Sequence, residues 1–488
     1  MTDRPEDRTP LIFHLSRSGK VGFIPPVTDV PEIPHGDVFD PDSLRREDAP
    51  LPEVTEPEVV RHFTNLSSKN HHVDKDVYPL GSCTMKYNPK VNDAMAQLSG
   101  FQFLHPLQPE ETVQGALAVM AGLEEQLRSI TGMDRFTLQP SAGSQGELVG
   151  VLIMHKYHAT RGNKKTKILI PDSAHGTNPA SVVMGGFDVL QVKSNSQGRV
   201  DLDDIKAKLT HEVAGMMLTQ PNTLGLFESE IMDITRLIHS VDGIMYMDGA
   251  NLNALLGITR PVDMGFDIVH INLHKTFSTP HGGGGPGAGP IGVVQELEEF
   301  LPSPLVVFDG KSYRVNSSLP NSVGRVHSFM GNFGILVRAY TYINLLGKEG
   351  LSTVSRQAIL NANYLKHRIS AAYQMFQEEP CMHEFVATGV RQKKRGVRMM
   401  DIAKRLLDFG FHAPTVYFPI NIPEAMMVEP TESETRESLD RFAQALLTID
   451  AESKTDPDRI RQAPHATPVR RLDEAAANRV LNLRWTPG

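Results

Sequence analysis

The sequence predicts an α/β protein with a large doubly wound, mixed but mostly parallel sheet and a smaller C-terminal α/β domain. Short apolar runs alternate with helix-like segments from about residue 110 to 280, as in strands joined by crossover helices. After Gly347, longer helical patterns surround a few short strands. A chain of 488 residues provides for two or three domains. We expect an extended arm at 1–90, a large domain at 91–346, and a small domain with a tail at 347–488.

The arm is predicted from closely spaced prolines between Pro25 and Pro57 and from the lack of a sustained periodicity. Such a segment runs extended and wraps its own body or a partner. The first long helix is predicted from Glu110, where ETVQGALAVMAGLEEQLRSI has apolar residues at helical spacing. Gly132 follows as a suitable end for this helix.

Five apolar runs continue the alternation, and helices are expected to open near Ser144, Asn178 and Ile231 after the first three. The runs are FTLQP at 136–140, KILIPD at 167–172, MMLTQPN at 216–222, IMYMDG at 244–249 and IVHINLHK at 268–275. Ligands bind outside the carboxyl ends of the strands in such sheets. The residues that follow these runs are therefore the candidates for chemistry.

Composition excludes several classes of protein. With Lys+Arg 49 against Asp+Glu 57, the net charge of -8 makes nucleic acid a poor partner. Two cysteines exclude a disulfide scaffold, and no window reaches the roughly 18 apolar residues of a membrane span. The start, MTDRPEDRTP, lacks the features of a secretory signal or transit peptide, so we expect a cytoplasmic protein without a membrane partner.

Lys275 follows the last apolar run, next to His274 and shortly before the glycine run Gly282–Gly285. An amine at the carboxyl end of a strand is placed to condense with a carbonyl group. The competing interpretation is a surface lysine in a turn between a strand and a loop. On the first interpretation, the glycines leave room above Lys275 for a long substrate arm.

Asp248 ends the preceding run, IMYMD, where Met245 and Met247 would shield it from water. A shielded carboxylate needs a cation, and the protonated nitrogen of a pyridine ring supplies one. An acid at the end of one strand and a lysine at the end of the next, neighbouring strand form the arrangement of a pyridoxal-phosphate site. In such a site the lysine holds the cofactor as an imine. The competing interpretation makes Asp248 the N-cap of a following helix.

Other strand ends supply groups that fit the same ligand. A turn of small residues between a strand and a helix offers free N–H groups that can cradle a phosphate. The residues of this turn are Ser141, Ala142, Gly143 and Ser144. His175 could lie flat on the ring, and Asn222 or Thr223 could hydrogen-bond its phenolic oxygen. Each residue also has an ordinary loop or capping interpretation, and the four strand ends taken together favour the cofactor.

Two other kinds of site are not expected. His155 and His158, like the adjacent His71 and His72, lack the cysteines or carboxylates that would complete a metal site. The glycines that follow Lys275 do not form the strand-to-helix turn of a dinucleotide site.

Several segments resemble the glycine cleavage system P-protein, the decarboxylating glycine dehydrogenase, nearly letter for letter. The longest is VHINLHKTFSTPHGGGGPGAGP, which contains the lysine. The others are YPLGSCTMKYNP at 78–89, LTQPNTLGLFE at 218–228, MDGANLNA at 247–254, GNFGILVRAYTYI at 331–343, PCMHEF at 380–385, FHAPTVYFP at 411–419 and EAMMVEPTE at 424–432. The resemblance covers the chain from about residue 58 to the tail and is to the lysine-bearing second subunit of the two-subunit bacterial form.

The resemblance implies the type I fold of pyridoxal-phosphate-dependent transferases, with the cofactor bonded to Lys275. It implies that Asp248 pairs with the pyridinium nitrogen, that His175 stacks on the ring and that the turn at 141–144 binds the phosphate. His274 is expected to contact the cofactor beside the lysine. The candidates for binding the substrate carboxylate are His281, Arg325 and Asn332.

The implied reaction removes carbon dioxide from glycine and passes the aminomethyl group to the lipoyl disulfide of H-protein. Because lipoamide accepts the electrons, no nicotinamide is required. The implied partners are lipoylated H-protein and glycine dehydrogenase subunit 1, with which a heterotetramer of two copies of each subunit is expected. Two alternatives stay open: another enzyme of the same fold, such as an aminotransferase or a decarboxylase, and a subunit without catalytic activity that serves as a scaffold.

Overall fold

A computed structural model describes residues 9–44, 49–282, 287–481 and 483. These residues fall into two compact units, one of residues 73–465 and the other of residues before 73 and after 465. The expected domain division at residues 90 and 346 stays a prediction. Most of the glycine run after Lys275, from 283 onward, lies outside the described residues.

The helices and strands are as follows. The α-helices are α1 Ile12–Leu15, α2 His35–Val38, α3 Glu56–Ser68, α4 Lys90–Ala96, α5 Ser99–Gln102, α6 Gln114–Thr131, α7 Gly143–Thr160, α8 Thr177–Met184, α9 Leu202–Lys208, α10 Ile231–His239, α11 Leu273–Thr276, α12 Phe333–Ile369, α13 Val390–Lys393, α14 Met399–Asp408, α15 Arg436–Thr455, α16 Pro457–Arg461 and α17 Glu474–Arg479. The strands are β1 Arg135–Thr137, β2 Lys167–Pro171, β3 Asp188–Val192, β4 Val213–Thr219, β5 Ile244–Asp248, β6 Ile268–His270, β7 Ile291–Val293, β8 Leu305–Phe308, β9 Tyr313–Asn316, β10 Gln374–Met375, β11 Phe385–Thr388, β12 Thr415–Val416 and β13 Ala425–Val428. Short 3-10 helices lie at Pro41–Ser43, Glu110–Thr112, Gly249–Ala254, Pro261–Met264 and Gln295–Phe300.

The main sheet has seven strands in the order β1-β7-β6-β5-β4-β2-β3. Strands β3, β2, β4, β5 and β6 pair in parallel, whereas β7 pairs antiparallel with both β6 and β1. This arrangement confirms the predicted mixed, mostly parallel sheet. It brings the carboxyl ends of the parallel strands to one edge, where a ligand site is expected.

Both faces of this sheet are buried, which explains why its strands are nearly continuous apolar runs. In β5, Met245 and Met247 pack into the core on one face. The alternate residue, Tyr246, packs on the other face, against helix α7. Asp248 has the same parity as Tyr246, so its side chain lies on the α7 face.

The predicted helix boundaries agree with the structure within a residue, except that α6 begins at Gln114 rather than at Glu110. Helix α6 ends where Gly132 takes a left-handed φ of 78°, as expected of a glycine at this position. Helices α7, α8 and α10 begin within a residue of their predicted starts. The prediction of one strand over 268–275 was wrong, because β6 ends at His270 and Lys275 lies in the one-turn helix α11. The polar Asn272 interrupts the apolar run, and its carbonyl accepts the Lys275 and Thr276 N–H groups.

A second sheet, antiparallel throughout, has the order β10-β11-β13-β12 and shares a core with helices α14 and α15. This is the predicted smaller C-terminal α/β layer. Helix α12 leads into it and is interrupted at Gly347, which has a φ of 59° and a ψ of -173°. A residue with a side chain rarely adopts this backbone conformation.

The unit formed by the chain termini contains α3, whose start is fixed by a capping box between Thr55 and Glu58. Residues 16–34 contain no helix or strand, whereas α1, α2 and α3 lie elsewhere in the first 90 residues, so the extended arm over 1–90 stays a prediction. Large apolar side chains on this segment face solvent: Phe23 is 79% exposed and Val27 is 97% exposed. Within the described parts of the chain, no helix has the length and apolar character needed to cross a membrane.

The packing of α7 on β5 provides a test of the fold. A Cβ at Gly150 would lie 2.2 Å from the ring of Tyr246, whereas one at Gly115 in α6 would meet none of the described residues within 4 Å. Helix propensity alone favours alanine at both positions by up to about 1 kcal/mol. We expect Gly115→Ala to be neutral or stabilising and Gly150→Ala to destabilise by about 1–3 kcal/mol through overpacking. Urea unfolding measures both, and a stabilised Gly150→Ala variant would contradict this packing.

Candidate active site

A cavity of about 270 Å³ opens at the carboxyl edge of the main sheet. Its wall includes Lys275, Asp248, His175, Thr223 and His274. These five belong to the ten residues expected at a cofactor site, and each follows or ends one of the strands β2, β4, β5 and β6. The cavity therefore lies where the topology predicts a ligand.

Asp248 is the buried acid of this cavity, with 3% of its surface exposed. Its Oδ1 accepts a hydrogen bond from the Ala250 N–H at 3.0 Å, so it also caps the 3-10 helix at 249–254. Its Oδ2 lies 3.3 Å from Asn178 Nδ2 and 3.4 Å from Thr219 Oγ1. The two interpretations of Asp248 from the sequence, a buried acid and an N-cap, are thus compatible.

His270 lies between Asp248 and the buried Tyr246 and contacts both side chains. Its Nε2 lies 3.3 Å from Asp248 Oδ1, and its Nδ1 lies 2.7 Å from the hydroxyl of Tyr246. Burial raises the pKa of Tyr246 well above its usual value, so the phenol keeps its proton and donates to Nδ1. The His270 Nε2–H is then the donor to Asp248.

These contacts decide the charge of Asp248. Burial acts to raise its pKa, but His270 and Lys275 outweigh this effect and hold the pKa below its ordinary value. The carboxylate is therefore ionised at neutral pH in spite of its burial. An ionised acid in this cavity favours a cationic ligand group.

Lys275 directs its amine towards the cavity and donates a hydrogen bond from Nζ to the Ser82 carbonyl at 2.8 Å. The competing interpretation from the sequence, a surface lysine, does not describe this partly buried, hydrogen-bonded side chain.

The start of helix α7 forms a second part of the cavity wall. Ala142, Gly143 and Ser144 line it, and the first N–H groups of a helix have no acceptor within the helix. A Cβ at Gly143 would lie 2.5 Å from Asn272 Nδ2, so only glycine fits here. The Asn272 Oδ1 is buried without a hydrogen-bond partner among the described residues. An anion of the size of a phosphate suits this cradle.

Two predicted cofactor residues lie outside the cavity wall. The Ser141 N–H and hydroxyl both donate to Gln145 Oε1, which fixes the turn rather than a ligand. The Asn222 amide donates to the Gly198 carbonyl and to Glu228, so its polar atoms are engaged in the loop after β4.

The remaining predicted residues reach the cavity. His175 is exposed, and its Nδ1 lies 3.0 Å from Thr177 Oγ1. The Thr223 hydroxyl donates to the Ser173 carbonyl. Burial, followed by the charge of Lys275, lowers the pKa of His274 to about 3, so its imidazole is neutral.

Of the three candidates for the substrate carboxylate, the structure brings one to the cavity. His281 lines the wall, whereas Arg325 donates to the Phe329 carbonyl and Asn332 donates to the Gly287 carbonyl.

Glu147 is a cavity residue that the sequence analysis missed. It lies four residues after Gly143, one turn along the same face of α7. Its carboxyl accepts hydrogen bonds from Thr177 Oγ1 at 2.8 Å and from Ser181 Oγ at 3.1 Å. Burial, together with the charge of Asp248, raises its pKa to about 8. Helical spacing from Gly143 was the signal that could have identified it.

Two buried groups of acidic residues and histidines were also missed as groups, although Asp248 itself was a candidate. Glu147, Asp248 and His270 form one buried group, and His383, Glu384 and Glu429 form another. The second group joins segments that lie next to β11 and β13 of the second sheet. No local spacing in the sequence indicates either group.

The chain matches two families by sequence. Residues 33–313, more than half of the chain, match the family described as glycine cleavage system P-protein. Residues 354–466 match the family described as glycine dehydrogenase, C-terminal domain.

Close relatives span nearly the same length. A probable glycine dehydrogenase (decarboxylating) subunit 2 of Caldanaerobacter subterraneus subsp. tengcongensis is 56% identical, over 98% of both chains. One of the same description from Chlorobaculum tepidum is 57% identical, over 97% of this chain and 98% of the relative.

Two solved structures share the fold. A glycine decarboxylase (P-protein) of the glycine cleavage system in inhibitor-bound form has a TM-score of 0.72 at 19% identity, over 84% of this chain and 93% of that one. The cysteine desulfurase CsdA from Escherichia coli has a TM-score of 0.60 at 15% identity, over 78% of this chain and 95% of that one. At these identities the likeness establishes the fold alone, and it confirms the predicted fold class.

The raised pKa of Glu147 gives a test of the site. Because the fold favours its protonated form, the associated stability is complete below pH 4.5 and is lost as the pH rises through about 8. Glu147→Gln mimics the protonated acid, so the wild type should lose stability relative to this variant by up to about 1.4 kcal/mol per pH unit in that range. Urea unfolding of cofactor-free protein from pH 5 to pH 9 measures the difference. Glu378→Gln, at an exposed glutamate, is the control, and parallel curves for wild type and Glu147→Gln would contradict the assignment.

Proposed function

The chain belongs to the glycine cleavage system P-protein family, and we propose that it holds pyridoxal phosphate on Lys275 to decarboxylate glycine. Its activity is that of a glycine dehydrogenase (decarboxylating), an enzyme of the glycine cleavage system. The observation that carries the cofactor proposal is the meeting of three groups in one cavity. These groups are the amine of Lys275, the ionised Asp248 and the N-terminus of α7.

The residues of the cavity fit pyridoxal phosphate. The cradle at Ala142–Ser144 would hold the phosphate, since the start of an 18-residue helix favours a dianion. Asp248 would pair with the pyridine nitrogen, and His175 would cover one face of the ring. Lys275 would bond to the aldehyde carbon. When bound, this cofactor supplies an electron sink that stabilises the charge left on glycine as its carboxyl group departs.

The chain's own residues prepare the cavity for this chemistry. The donors around Asp248 keep it ionised, and the Tyr246–His270 pair fixes its orientation on the far side from solvent. Glu147 keeps its proton at neutral pH, so it adds no second negative charge beside Asp248. The two acids thus hold different protonation states within one cavity, which is how one site separates the roles of two carboxyl groups.

Lys275 has its own acceptor in the Ser82 carbonyl, which orients the amine whenever it is not bonded to the cofactor. The neutral imidazole of His274 lies beside it and adds no positive charge. Thr223 and His281 close the cavity wall around the substrate.

The relatives are named as second subunits, and this chain therefore works with another subunit. We propose that this partner is glycine dehydrogenase subunit 1, in a complex of two copies of each, and that lipoylated H-protein accepts the aminomethyl group. The exposed apolar arm supports a permanent partner, because side chains such as Phe23 and Ile24 are 79% and 76% exposed. Permanent interfaces of this kind bury more than about 2,000 Å².

Lys275→Ala tests the catalytic proposal. We expect the variant to lack both the visible absorbance of an imine-bound cofactor and the exchange of labelled bicarbonate into glycine in the presence of subunit 1 and H-protein. In the wild type, borohydride reduction followed by peptide mapping should place the label on Lys275. A label on another lysine, or efficient transamination of a keto acid by the wild type, would contradict the proposal.

The arm is tested by Phe23→Ser combined with Ile24→Ser. Removing two large apolar contacts should weaken the association with subunit 1 by at least about tenfold, because each contributes about 1.5–3 kcal/mol when buried. Titration calorimetry with purified subunit 1 measures this change. Leu360→Ser, at a 60% exposed leucine of α12, is the matched control. An unchanged affinity in the double variant would exclude the arm from the interface.

A further inference from the structure

Residues 81–86 form a segment, here called the strap, that crosses from the second sheet to the cavity. Alternate residues of the strap are held by three glutamates that lie next to β11 and β13. Ser82 N–H donates to Glu384 Oε2 at 2.7 Å. The Thr84 N–H and hydroxyl donate to Glu429 at 3.0 and 2.6 Å, and Lys86 Nζ donates to Glu432 at 2.6 Å.

The strap has an unusual backbone conformation and packs closely on the second sheet. Ser82 and Thr84 have φ angles of 65° and 47°, in the left-handed region that is unfavourable for residues with side chains. Gly81 packs so closely on β13 that an added Cβ would lie 2.3 Å from Met427. The Thr415 hydroxyl donates to the Gly81 carbonyl at 2.8 Å. The strap is thus held at positions 81, 82, 84 and 86 by residues in or near the second sheet.

The opposite side of the strap faces the proposed cofactor lysine. The Ser82 carbonyl accepts the hydrogen bond from Lys275 Nζ at 2.8 Å. Cys83 lines the cavity wall. Lys86 Nζ donates to the carbonyl of Thr276, the residue after the lysine, at 3.0 Å. The strap therefore contacts the segment of Lys275 at two points.

Glu384 and Glu429 are both fully buried. Burial and the neighbouring carboxyl raise the pKa of Glu384 well above its ordinary value, and burial raises that of Glu429 to about 6. The titratable groups that face this pair are His383, Cys83 and Lys275. Burial lowers the pKa of His383 to about 3, so it is neutral. Glu384 therefore keeps its proton at neutral pH.

We propose that Glu384 and Glu429 are positioning residues for Lys275, which act through the strap by holding the Ser82 carbonyl where it receives the free amine. Neither glutamate lines the cavity, so neither touches the substrate or cofactor. Their role is to orient the amine. This inference rests on the proposed function of Lys275.

The variants Glu384→Ala and Glu384→Gln distinguish a role of Glu384 in positioning the Lys275 amine from a role in folding alone. Alanine leaves the Ser82 N–H buried without an acceptor, whereas the glutamine carbonyl can still accept it and is neutral like the protonated acid. Glu378→Ala, at an exposed glutamate of the same region, is the matched control. Each variant is prepared with its cofactor and subunit 1. The measurements are cofactor content, melting temperature, the pH midpoint of the visible absorbance, and kcat and KM for glycine in bicarbonate exchange.

We expect Glu384→Ala to bind the cofactor and to lower kcat by about tenfold or more, with KM changed much less, because a misplaced catalytic group mainly affects the chemical step. The pH midpoint of its absorbance should shift by roughly half a unit or more, since the surroundings of the amine change. Glu384→Gln should stay within about twofold of the wild type in kcat. If Glu384→Ala does not fold, Thr84→Ala replaces it in the experiment, because this variant removes one hydrogen bond of the strap. It should lower kcat by about threefold or less and shift the pH midpoint of the absorbance in the same direction as expected for Glu384→Ala.

Three results would overturn the proposal. In the first, Glu384→Ala loses thermal stability but keeps the wild-type kcat and pH midpoint, which would make the strap a purely structural element. In the second, Glu384→Gln is as impaired as Glu384→Ala. In the third, elemental analysis finds one divalent ion per wild-type chain that is absent from Glu384→Ala, which would make His383, Glu384 and Glu429 ligands. Mapping of the borohydride label in the wild type to a residue other than Lys275 would instead refute the proposed function, so the two failures are distinguishable.

Discussion

The ionised carboxylate of Asp248, almost fully removed from water, is the constraint on which the site depends. A carboxyl in that position becomes neutral unless donors compensate for its lost hydration. Here the donors come from the end of β4, the start of the turn after β5 and the end of β6. Their convergence requires the parallel arrangement of these strands in one register. The topology of the sheet and the charge of this one group are therefore linked.

The same constraint explains the unusual polarity of the core beside the cavity. Tyr246 and His270 are both nearly inaccessible to water, yet each satisfies the other through one hydrogen bond. Gly150 makes room for the phenol ring at the centre of α7. A buried polar network is stabilising only when its members are paired, and Tyr246 and His270 meet that condition. The glycine at position 150, which makes room for the ring, lowers the helix propensity of α7 at that position.

Much of this arrangement could be predicted from the sequence, because it depends on local patterns. Strand ends followed by polar or small residues singled out Asp248, Lys275 and the start of α7, and the structure brings these around one cavity. The strand through Lys275 was predicted too long, since an apolar run does not reveal where its hydrogen bonding to the neighbouring strand stops. Ser141 and Asn222 have suitable side chains and suitable positions, but their polar atoms are consumed by neighbours within the same loops.

Contacts between segments far apart in the sequence could not be predicted. Glu384 and Glu429 lie 302 and 345 positions from the strap residues that they bind. Translation proceeds at about 5–20 residues per second, so the strap is synthesised roughly 15–60 s before Glu384. During that interval the Ser82 N–H lacks the carboxyl acceptor that it has in the folded chain. The strap can therefore take up its final position only late in the synthesis of each molecule.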